Sequence, residues 1–393
     1  MRAIHSFIAA LFILLQLGSC SNPEKEQLQN IAKIKAQSMN RALPISVNSP
    51  KDNPTSPQKV ALGKLLFFDP ILSGNKDVAC ATCHHPDNGY AEFLDISIGV
   101  NGKGFGSKRV FNQPNDIPFV KRNSNTVLNT AFNGIDIQNR YDPEQAPMFW
   151  DMRVKSLEKQ ALEPIKALEE MRGHGYSEEE VLDVIISRLA AIPEYQQLFV
   201  AAFSEKDPIN STNLGKAIAA FERTLVTNNS RFDQYMRGDR DAISLSEKEG
   251  FELFKKVGCA NCHNGSMFSD YKTHVLGIPN NDKLQEPDSG ANGSFAFRTA
   301  SLRNLRFTAP YMHNGSLKTL KSVLEFYEDI SFGKTRNPSV PKDQFDPLVK
   351  ELNLSVKEMG PIISFLNTMN DSSFDKDIPE AVPSGLPVAG NIH

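Results

Sequence analysis

The chain has 393 residues, a formal net charge of −3 and 40% hydrophobic residues. This composition is that of a globular protein, and the length allows more than one domain. No basic patch stands out against the near-neutral balance of charge, so we expect no nucleic-acid partner.

The first residues have the pattern of an export signal. Arg2 supplies a positive charge, and residues 7–17 form an apolar stretch that has signal-peptide length and is too short to span a bilayer. The stretch is followed by LGSC, the form of a bacterial lipobox, in which Cys20 receives a diacylglycerol. We therefore predict a lipoprotein signal peptide over residues 1–19 and lipidation of Cys20. An ordinary secretory signal that is cleaved nearby is the alternative.

Either kind of signal implies that the mature chain is exported. We predict a periplasmic lipoprotein held by several alkyl chains, because a single chain binds a membrane only marginally. Ser21, rather than an aspartate, follows the lipidated cysteine, which favours the outer membrane. Residues 20–57 are polar and poor in apolar residues, so we expect a tether between the anchor and the folded part.

Two short runs, CATCH at Cys80–His84 and CANCH at Cys259–His263, contain every cysteine except Cys20. A C-x-x-C-H run is the attachment signal for c-type haem. Each thiol can form a thioether with one vinyl group, and the histidine then lies under the iron as its axial ligand. We therefore predict two covalently bound c-type haems. Their attachment and axial residues are Cys80, Cys83 and His84 for the first haem, and Cys259, Cys262 and His263 for the second.

A zinc site made of the four cysteines, or two redox-active cysteine pairs, is the alternative to haem attachment. A zinc site would have to unite two halves that lie far apart in the chain. It would also leave His84 and His263 unexplained. His85 follows the first run directly, and we expect it at the surface or on the propionate side of the haem.

Most of the predicted elements are helices. The segments LGKLLFFDP and EGFELFKKVG each precede one haem-attachment run and predict a short amphipathic helix, which indicates a distant internal repeat. Residues 214–225 carry apolar side chains at helical spacing and predict a buried helical face. Capping boxes predict three further helix starts, at Ser177 with Glu180, Ser246 with Glu249, and Ser355 with Glu358.

Strand signals are weak throughout. No convincing run of alternating residues is present, and the regions 99–107 and 270–294 predict loops. We therefore predict a mainly α fold made of two tandem cytochrome c-like haem domains with long loops. The expected boundaries are 58–228 for an N-terminal haem domain, 229–370 for a C-terminal haem domain, and 371–393 for a polar tail.

Around the haem runs, the chain resembles the bacterial di-haem cytochrome c peroxidases over nearly all of residues 58–370. The resemblance is carried by the ordered motifs LGKLLFFDPILSG, RNSNTVLN, MFWDMR, IAAFERTLV, FRTASLRNLRFTAPYMHNGSLKTL and VLEFY. It implies that the N-terminal haem binds peroxide and that the C-terminal haem relays electrons. The donor would be a small cytochrome c, a cupredoxin or another exported protein, and the resemblance leaves a homodimer open.

The resemblance also implies roles for single residues. Trp150, the only tryptophan, matches the residue that conducts electrons between the haems, although a buried aromatic at a core or interface is the plainer interpretation. Glu170 matches the pocket carboxylate that moves a proton during O–O cleavage, with Gln160 and Pro164 beside it. The neighbouring Glu169 is the alternative to Glu170, because the residues alone do not separate the two.

Three residues match a calcium site between the family's domains. They are Asn123, Thr308 and Pro310, which would supply one side-chain oxygen and two backbone carbonyls to a hard cation. Each residue alone would be an ordinary loop residue, so the prediction of one bound Ca²⁺ depends on the joint match.

Two positions depart from the typical family pattern. Val100 stands where a histidine caps the first haem in the oxidised enzyme, so we expect that haem to be five-coordinate or water-bound. Tyr327 stands where a methionine ligates the second haem, which resembles the methylamine-utilisation branch of the family. Met312 is the rival ligand, and His313 and His274 are further ones. In addition, Arg303 is expected to pair with a haem propionate.

The prediction from sequence is thus an exported di-haem c-type peroxidase that reduces hydrogen peroxide with electrons from an exported donor. The first alternative is an oxidase of the methylamine-utilisation type, which acts on a partner protein or a small molecule through high-valent iron. The second alternative is a lipoprotein that only transfers electrons. A matching pocket acid at Glu170 disfavours that second alternative, because a relay needs no such group.

Overall fold

The computed structural model describes residues 41–392. The predicted signal peptide, Cys20 and the first part of the predicted tether lie outside these residues. Among the helices between residues 41 and 392, none combines the length and the apolar character that a membrane crossing requires.

Helices dominate the architecture, as predicted. The α-helices are α1 (Pro57–Phe68), α2 (Cys80–Cys83), α3 (Leu157–Gln160), α4 (Glu163–Lys166), α5 (Val181–Ala190), α6 (Pro193–Ala202), α7 (Ser211–Glu222), α8 (Arg231–Met236), α9 (Leu245–Lys256), α10 (Leu320–Ser331) and α11 (Val356–Asn367). One π-helix covers Leu168–Arg172. Short 3₁₀ segments cover Pro70–Leu72, Pro86–Asn88, Gly106–Lys108, Thr130–Phe132, Cys259–Asn261, Leu305–Phe307, Lys342–Gln344 and Pro347–Glu351.

The β structure of the described residues is confined to three two-stranded antiparallel ladders. The strands are β1 (Gly102–Lys103), β2 (Val110–Phe111), β3 (Pro147–Met148), β4 (Val154–Lys155), β5 (Thr273–Val275) and β6 (Ala296–Arg298). Residue 102 pairs with 111, residue 147 with 155, and residue 273 with 298. Each ladder therefore closes a loop, and none forms a layer of the core.

Most buried apolar side chains form two cores, which we call the N-terminal unit, with members within residues 62–225 and 374–389, and the C-terminal unit, with members within residues 232–369. Helices α1 and α7 form the centre of the N-terminal unit. The predicted apolar face of α7 is buried, with Leu214, Ile218 and Phe221 fully enclosed. Gly63 lets the two helices meet closely, since a Cβ there would overlap the carbonyl oxygen of Ala217. The contact makes this helix pair rigid because neither backbone has room to shift.

The C-terminal unit repeats this contact with α9 and α11. A Cβ on Gly250 would overlap the carbonyl oxygen of Pro361, and it would lie 3.0 Å from the Cβ of Phe365. Gly63 has the same relationship to Phe221, also at 3.0 Å. In each unit, therefore, the helix that precedes the C-x-x-C-H run uses a glycine to cross a later helix.

The capping boxes were predicted with mixed success. Ser355 and Glu358 form the box that starts α11, as expected. The prediction for α9 was wrong, because Ser244 caps it and Glu247 completes the box. The sequence SLSEKE offers the S-x-x-E spacing twice, and the earlier pair gives a longer helix. Glu247 also accepts a hydrogen bond from Arg231 at 2.6 Å, which adds to the stability of the earlier start.

The remaining predicted pair lies just before α5. Ser177 and Glu180 exchange hydrogen bonds of 3.2 and 3.3 Å, while the regular α-helix begins at Val181. The reciprocal bonds satisfy backbone donors at the helix entrance, as a capping box does.

Both flanking segments pack against the folded units where the structure describes them. In the predicted tether, the side chain of Leu43 is buried, and its N–H donates to Asp233 at 3.0 Å. In the predicted polar tail, Phe374, Val382 and Ala389 are buried. The tail therefore returns across the chain and contacts the N-terminal unit.

Candidate functional site

A cavity of about 610 Å³ lies between the two units. Its wall contains every site residue predicted from the sequence within the described part of the chain. These are Cys80, Cys83, His84, Asn123, Trp150, Gln160, Glu170, Cys259, Cys262, His263, Thr308, Pro310 and Tyr327. Residues from distant parts of the sequence thus meet in one place.

The first C-x-x-C-H run folds into the one-turn helix α2. The N–H of His84 donates to the carbonyl of Cys80 at 3.0 Å, which fixes the histidine directly after the turn. The His84 Nδ1 lies 3.1 Å from the carbonyl oxygen of Tyr90. Because that oxygen can only accept, Nδ1 carries the proton and Nε2 keeps its lone pair. Burial lowers the pKa of His84, so the imidazole is neutral and suited to bind a metal.

The second run repeats this arrangement on a 3₁₀ turn. The N–H of His263 donates to the carbonyl of Cys259 at 3.0 Å. Its Nδ1 lies 3.0 Å from the carbonyl oxygen of Phe268. Burial is again the main cause that lowers the pKa of His263. Both histidines therefore present a neutral Nε2, as axial ligands of a metal would.

The cysteines of the two runs do not form a zinc site. The thiols are unpaired, and burial raises the pKa of Cys80 and of Cys259 to about 12. A zinc site would need the four cysteines around one point. Within residues 41–392, the only trio of histidine, cysteine or acidic side chains spaced for a metal contains one of them, Cys262, together with Asp270 and His274. Cysteine pairs that are each followed by a neutral histidine fit thioether attachment of haem.

A buried arginine gives a second test of fit. Arg298 lines the cavity, and its Nε donates to the carbonyl of Phe149 at 3.1 Å. It forms no ion pair with any carboxylate between residues 41 and 392, and burial lowers its pKa. A buried cation without an acidic partner is costly. A haem carries two propionates, so a haem in this cavity would supply the missing negative charge.

Arg303 does not serve as the predicted propionate partner. Its guanidinium makes two hydrogen bonds to Asp233, at 2.8 and 2.9 Å, and both side chains are buried. The two guanidinium nitrogens that bind Asp233 are the ones that a bidentate contact with a propionate would need. Arg303 is therefore committed to joining α8 to the loop that carries it.

The pocket acid lies on the π-helix. Glu170 faces the cavity, and its pKa is raised to about 7, first because of burial and then because of the nearby Glu169. Arg153 and Arg122 act in the opposite direction. π-Helices are rare and are often found at functional sites. A carboxyl with this pKa can both accept and donate a proton near neutral pH.

The other predicted pocket residues surround Glu170. Gln160 ends α3, and Pro164 lies in the first turn of α4. Glu169 also lines the cavity. The geometry therefore brings both glutamates to the cavity.

Trp150 lies where the two units meet. Its indole Nε1 donates to the carbonyl of Asn123 at 3.1 Å, and its own carbonyl accepts from the N–H of Arg298 at 2.7 Å. The N–H of Asn123 in turn donates to the carbonyl of His313 at 2.7 Å. The indole is thus fixed by backbone bonds from both sides of the cavity.

The two positions that depart from the family pattern differ in their surroundings. Val100 is fully buried, and its N–H donates to the carbonyl of Glu170 at 3.1 Å. Tyr327 and Met312 both line the cavity and pack in the same apolar cluster. Burial raises the pKa of Tyr327 well above its usual value, so the unbound phenol is neutral.

Two histidines that were considered as iron ligands are engaged otherwise. The ring of His274 lies between Asp346 at 2.8 Å and Asp270 at 3.1 Å. Burial opposes its charge, but its bonds to Asp270, Cys262 and Asp346 raise its pKa to about 11, so both nitrogens carry protons. His313 stacks on Phe297 with ring centres 3.6 Å apart. Burial lowers the pKa of His313 to about 3.

The candidate calcium residues also converge. Asn123, Thr308 and Pro310 line the cavity. The Asn123 Nδ2 donates to the carbonyls of Leu94 at 2.7 Å and Asp95 at 3.3 Å, which leaves its Oδ1 as the free acceptor. An amide oxygen held in this way suits a hard cation.

Sequence reasoning missed two buried charged groups of this cavity. One is Arg298. The other is Glu222, whose Oε2 has no hydrogen-bond partner in residues 41–392 and whose pKa burial raises to about 8. Both occur in the motifs FRTASLRN and IAAFERTLV. The only available signal was a charged residue inside an otherwise apolar motif.

Comparisons with known proteins agree on one family. The model of the di-haem cytochrome c peroxidases matches residues 57–241. The chain is 38% identical to the methylamine utilization protein MauG of Methylorubrum extorquens, over 90% of this chain and 88% of that protein. It is 33% identical to the cytochrome c551 peroxidase of Pseudomonas aeruginosa, over 77% of this chain and 81% of that protein.

A solved structure agrees with these sequence relatives. It is that of a MauG-like protein associated with microbial copper homeostasis, with a TM-score of 0.67 and 27% identity. The match covers 84% of this chain and 95% of that one.

Proposed function

The chain belongs to the di-haem cytochrome c peroxidase family, and from this premise we propose that it reduces hydrogen peroxide with electrons from an exported donor protein. It is an oxidoreductase of the cytochrome-c peroxidase type, as its family is. The proposed donor is a small cytochrome c or a cupredoxin. Family membership implies two c-type haems, which we assign to the runs Cys80–His84 and Cys259–His263.

The observation that carries the proposal is Glu170, an acid with a pKa of about 7 that shares a cavity with both C-x-x-C-H turns. A haem bound at His84 supplies the iron centre at which peroxide is reduced. Glu170 can take a proton from one peroxide oxygen and return it to the other. Gln160 can hold peroxide by its amide, since it lies in the same wall. Trp150, fixed between the units, conducts electrons from one to the other.

A matched pair of variants tests this assignment. Peroxide turnover is measured with purified holoprotein and reduced cytochrome c. Glu170→Gln should lower kcat by about a hundredfold, within the usual range for losing general acid–base catalysis. Glu169→Gln keeps the neighbouring position and should retain most of the activity. Equal losses in the two variants, or a wild-type protein without turnover, would reject the proposal.

An oxidase function of the methylamine-utilisation type is the second candidate. Val100 and Tyr327 favour it, and so does the 38% identity with a methylamine utilization protein. In that case, the oxidising equivalents would go to a partner protein or a small molecule. Slow turnover with every reduced cytochrome or cupredoxin, combined with rapid reaction of the reduced protein with peroxide, would favour this candidate. A protein that only transfers electrons would show neither reaction.

The ligands of each haem iron are inferred from Val100 and Tyr327, the two residues that depart from the typical family pattern. We propose that the first haem has no second protein ligand, because a buried valine cannot bind iron. For the second haem we propose Tyr327 rather than Met312 as the second ligand, because an oxygen ligand stabilises ferric and higher states. Absorption spectra of wild type, Tyr327→Phe and Met312→Leu decide this. The spectrum should change only in the Tyr327 variant.

One calcium ion is proposed on Asn123 and the carbonyls of Thr308 and Pro310. The support is the convergence of these residues and the free Asn123 Oδ1. Calcium removal by a chelator should lower activity, and added Ca²⁺ should restore it. Asn123→Ala should lose the response to Ca²⁺, and an unchanged response would reject the site.

Two tandem cytochrome c-like domains, over 58–228 and 229–370, complete the proposal. The support is the repeated crossing of helices at Gly63 and Gly250 and the repeated histidine contacts. Export and a lipid anchor on Cys20 follow from the LGSC pattern. Mass spectrometry of the mature protein should find two added haems and an acylated Cys20. Membrane fractionation should find the protein in the outer membrane.

A further inference from the structure

Arg109 is a buried cation that binds only backbone carbonyls. It is 2% exposed. Its Nε donates to Ile98 at 2.6 Å, and its Nη2 donates to Gly99 at 2.8 Å. Its Nη1 donates to Gly104 at 3.2 Å and to Asn391 at 2.9 Å. The guanidinium therefore joins three separate parts of the chain by four hydrogen bonds, which a planar fork with five donors can do.

Two of these carbonyls belong to a segment that touches the pocket acid. We call residues 97–100 the distal loop. The N–H of Val100 donates to the carbonyl of Glu170 at 3.1 Å. A Cβ on Gly99 would overlap the carbonyl oxygens of Glu169 and Glu170, so the loop lies directly against the π-helix. A shift of the distal loop must therefore shift the backbone of Glu170.

The fourth carbonyl belongs to the other end of the chain. We call residues 387–392 the C-terminal strap. The N–H of Asn391 donates to the carbonyl of Asp77 at 2.9 Å. The hydroxyl of Thr82 donates to the carbonyl of Ala389 at 2.7 Å. Since Thr82 lies between the cysteines of the first C-x-x-C-H run, the strap contacts the attachment turn as well as Arg109.

Arg109 and the C-terminal strap thus link both sides of one site. The attachment turn carries His84, and the distal loop supports Glu170. We propose that Arg109 and the C-terminal strap form a clamp that positions the Glu170 carboxyl relative to the attachment turn of the first haem. Arg109 is a positioning residue, because it acts through the distal loop. The effect of the clamp on catalysis rests on the proposed peroxidase function. The clamp itself does not, because it consists of hydrogen bonds that are part of the fold.

Three variants of the holoprotein test the clamp. Arg109→Gln removes the charge and most donors. Arg109→Lys keeps the charge, but a single ammonium cannot span four carbonyls. A chain that ends at Leu386 lacks the strap. Arg237→Gln is the matched control, because Arg237 also donates to backbone carbonyls, those of Leu43 and Asn228, but away from this site.

The first measurement is hydrogen exchange at the Val100 amide, which reports the contact with Glu170 directly. All three clamp variants should exchange this amide about tenfold faster or more, since local opening sets exchange in a stable protein. The control should exchange it at the wild-type rate. Wild-type exchange in a clamp variant that retains two haems would overturn the proposal. Should Arg109→Gln fail to bind two haems, the truncated chain and Arg109→Lys decide the question.

The second measurement is the pH profile of peroxide turnover. A displaced Glu170 changes its distance from Glu169, Glu163, Arg153 and Arg122, so the pH midpoint should move in the clamp variants and not in the control. A general loss of stability would lower turnover without moving the midpoint, and that result would overturn the positioning role. If the wild type lacked turnover, the peroxidase proposal would fail. The Val100 exchange would still decide whether the clamp exists.

Discussion

Trp150, the only tryptophan, donates its indole N–H to the backbone carbonyl of Asn123 at 3.1 Å, and its own carbonyl accepts from the N–H of Arg298 in the C-terminal unit. Asn123 continues the connection, because its N–H donates to the carbonyl of His313. The bond orients the indole as well as holding it. A smaller aromatic side chain without the N–H should therefore keep the apolar contact in part and lose the orientation.

Trp150→Phe makes this change. The lost hydrogen bond and the smaller ring should together lower the free energy of unfolding by about 2–3 kcal/mol, and both haems should still attach. Peroxide turnover should fall by about tenfold, a barrier increase of roughly 1.4 kcal/mol, because electrons pass between the units less readily. Stopped-flow measurement of electron transfer to peroxide checks this. Tyr141→Phe, an aromatic change away from the cavity, is the control, and equal effects of both would contradict the role of Trp150.

The raised pKa of Glu170 makes stability depend on pH. An acid whose pKa is higher in the folded state holds its proton there longer, so folding loses stability as pH rises from 4.5 to about 7. Glu170→Gln removes this loss. The variant should match the wild type at pH 4 and be more stable at pH 8 by about 1–2 kcal/mol, a discounted figure because water reaches the cavity.

Denaturant unfolding of the holoprotein at the two pH values measures this difference. Glu170→Gln should thus raise the stability at pH 8 although it lowers the activity. A variant that is less stable than the wild type at pH 8 would mean that the carboxylate is stabilised in the fold and that its pKa is not raised.

The sequence predicted which residues form this site better than it predicted which residues contact one another. Spacing alone indicated His84 and His263, because covalent attachment to two nearby cysteines dictates where each histidine lies. The resemblance to a family added Glu170 and Trp150. No local pattern, however, could show that Arg303 faces Asp233, which lies far away in the chain. Nor could it show that Arg298 has no acidic partner among residues 41–392.

Helix boundaries show the same difference between what local spacing predicts and what distant contacts determine. The apolar spacing over residues 214–225 predicted α7, since burial of one face depends only on periodicity. The start of α9 was predicted two residues late, because two serines in SLSEKE satisfy the same capping rule. The choice between them depends on Arg231, which pairs with Glu247 only in the folded chain.

The charged cluster around His274 should also give a pH-dependent stability. The pKa of His274 is raised above its usual 6.5, and its bonds to Asp270 and Asp346 are causes of the rise that remain when Cys262 forms an uncharged thioether. A raised pKa gives a stabilisation that is complete below pH 6.5 and is lost as pH rises towards the folded value.

His274→Asn should therefore destabilise the protein at pH 6 by about 2 kcal/mol, because two half-buried carboxylates lose their cation. The difference from the wild type should shrink at pH 10. Chemical unfolding at both pH values measures it. A difference that stays constant with pH would show that the imidazole is neutral throughout. Asp343→Asn, a change in a nearby exposed carboxylate, serves as the control.

Arg298 and Arg303 should respond to the same substitution in different ways, although they lie five residues apart. Arg303 holds the buried Asp233, so Arg303→Gln leaves that carboxylate without its cation. The cost should be about 3–5 kcal/mol of unfolding free energy. Arg298 has no such partner in residues 41–392, so Arg298→Gln leaves no carboxylate of those residues unpaired and should cost less stability than Arg303→Gln.

The Arg298 variant should instead change the redox behaviour. With its cation removed, the negative charge of a propionate is no longer balanced, and that charge favours the oxidised iron. Potentiometric titration should find the midpoint potential of one haem lowered and that of the other unchanged. Arg298→Lys keeps the charge and should restore most of the potential. Unchanged potentials in Arg298→Gln, with two haems bound, would mean that the guanidinium does not face a propionate.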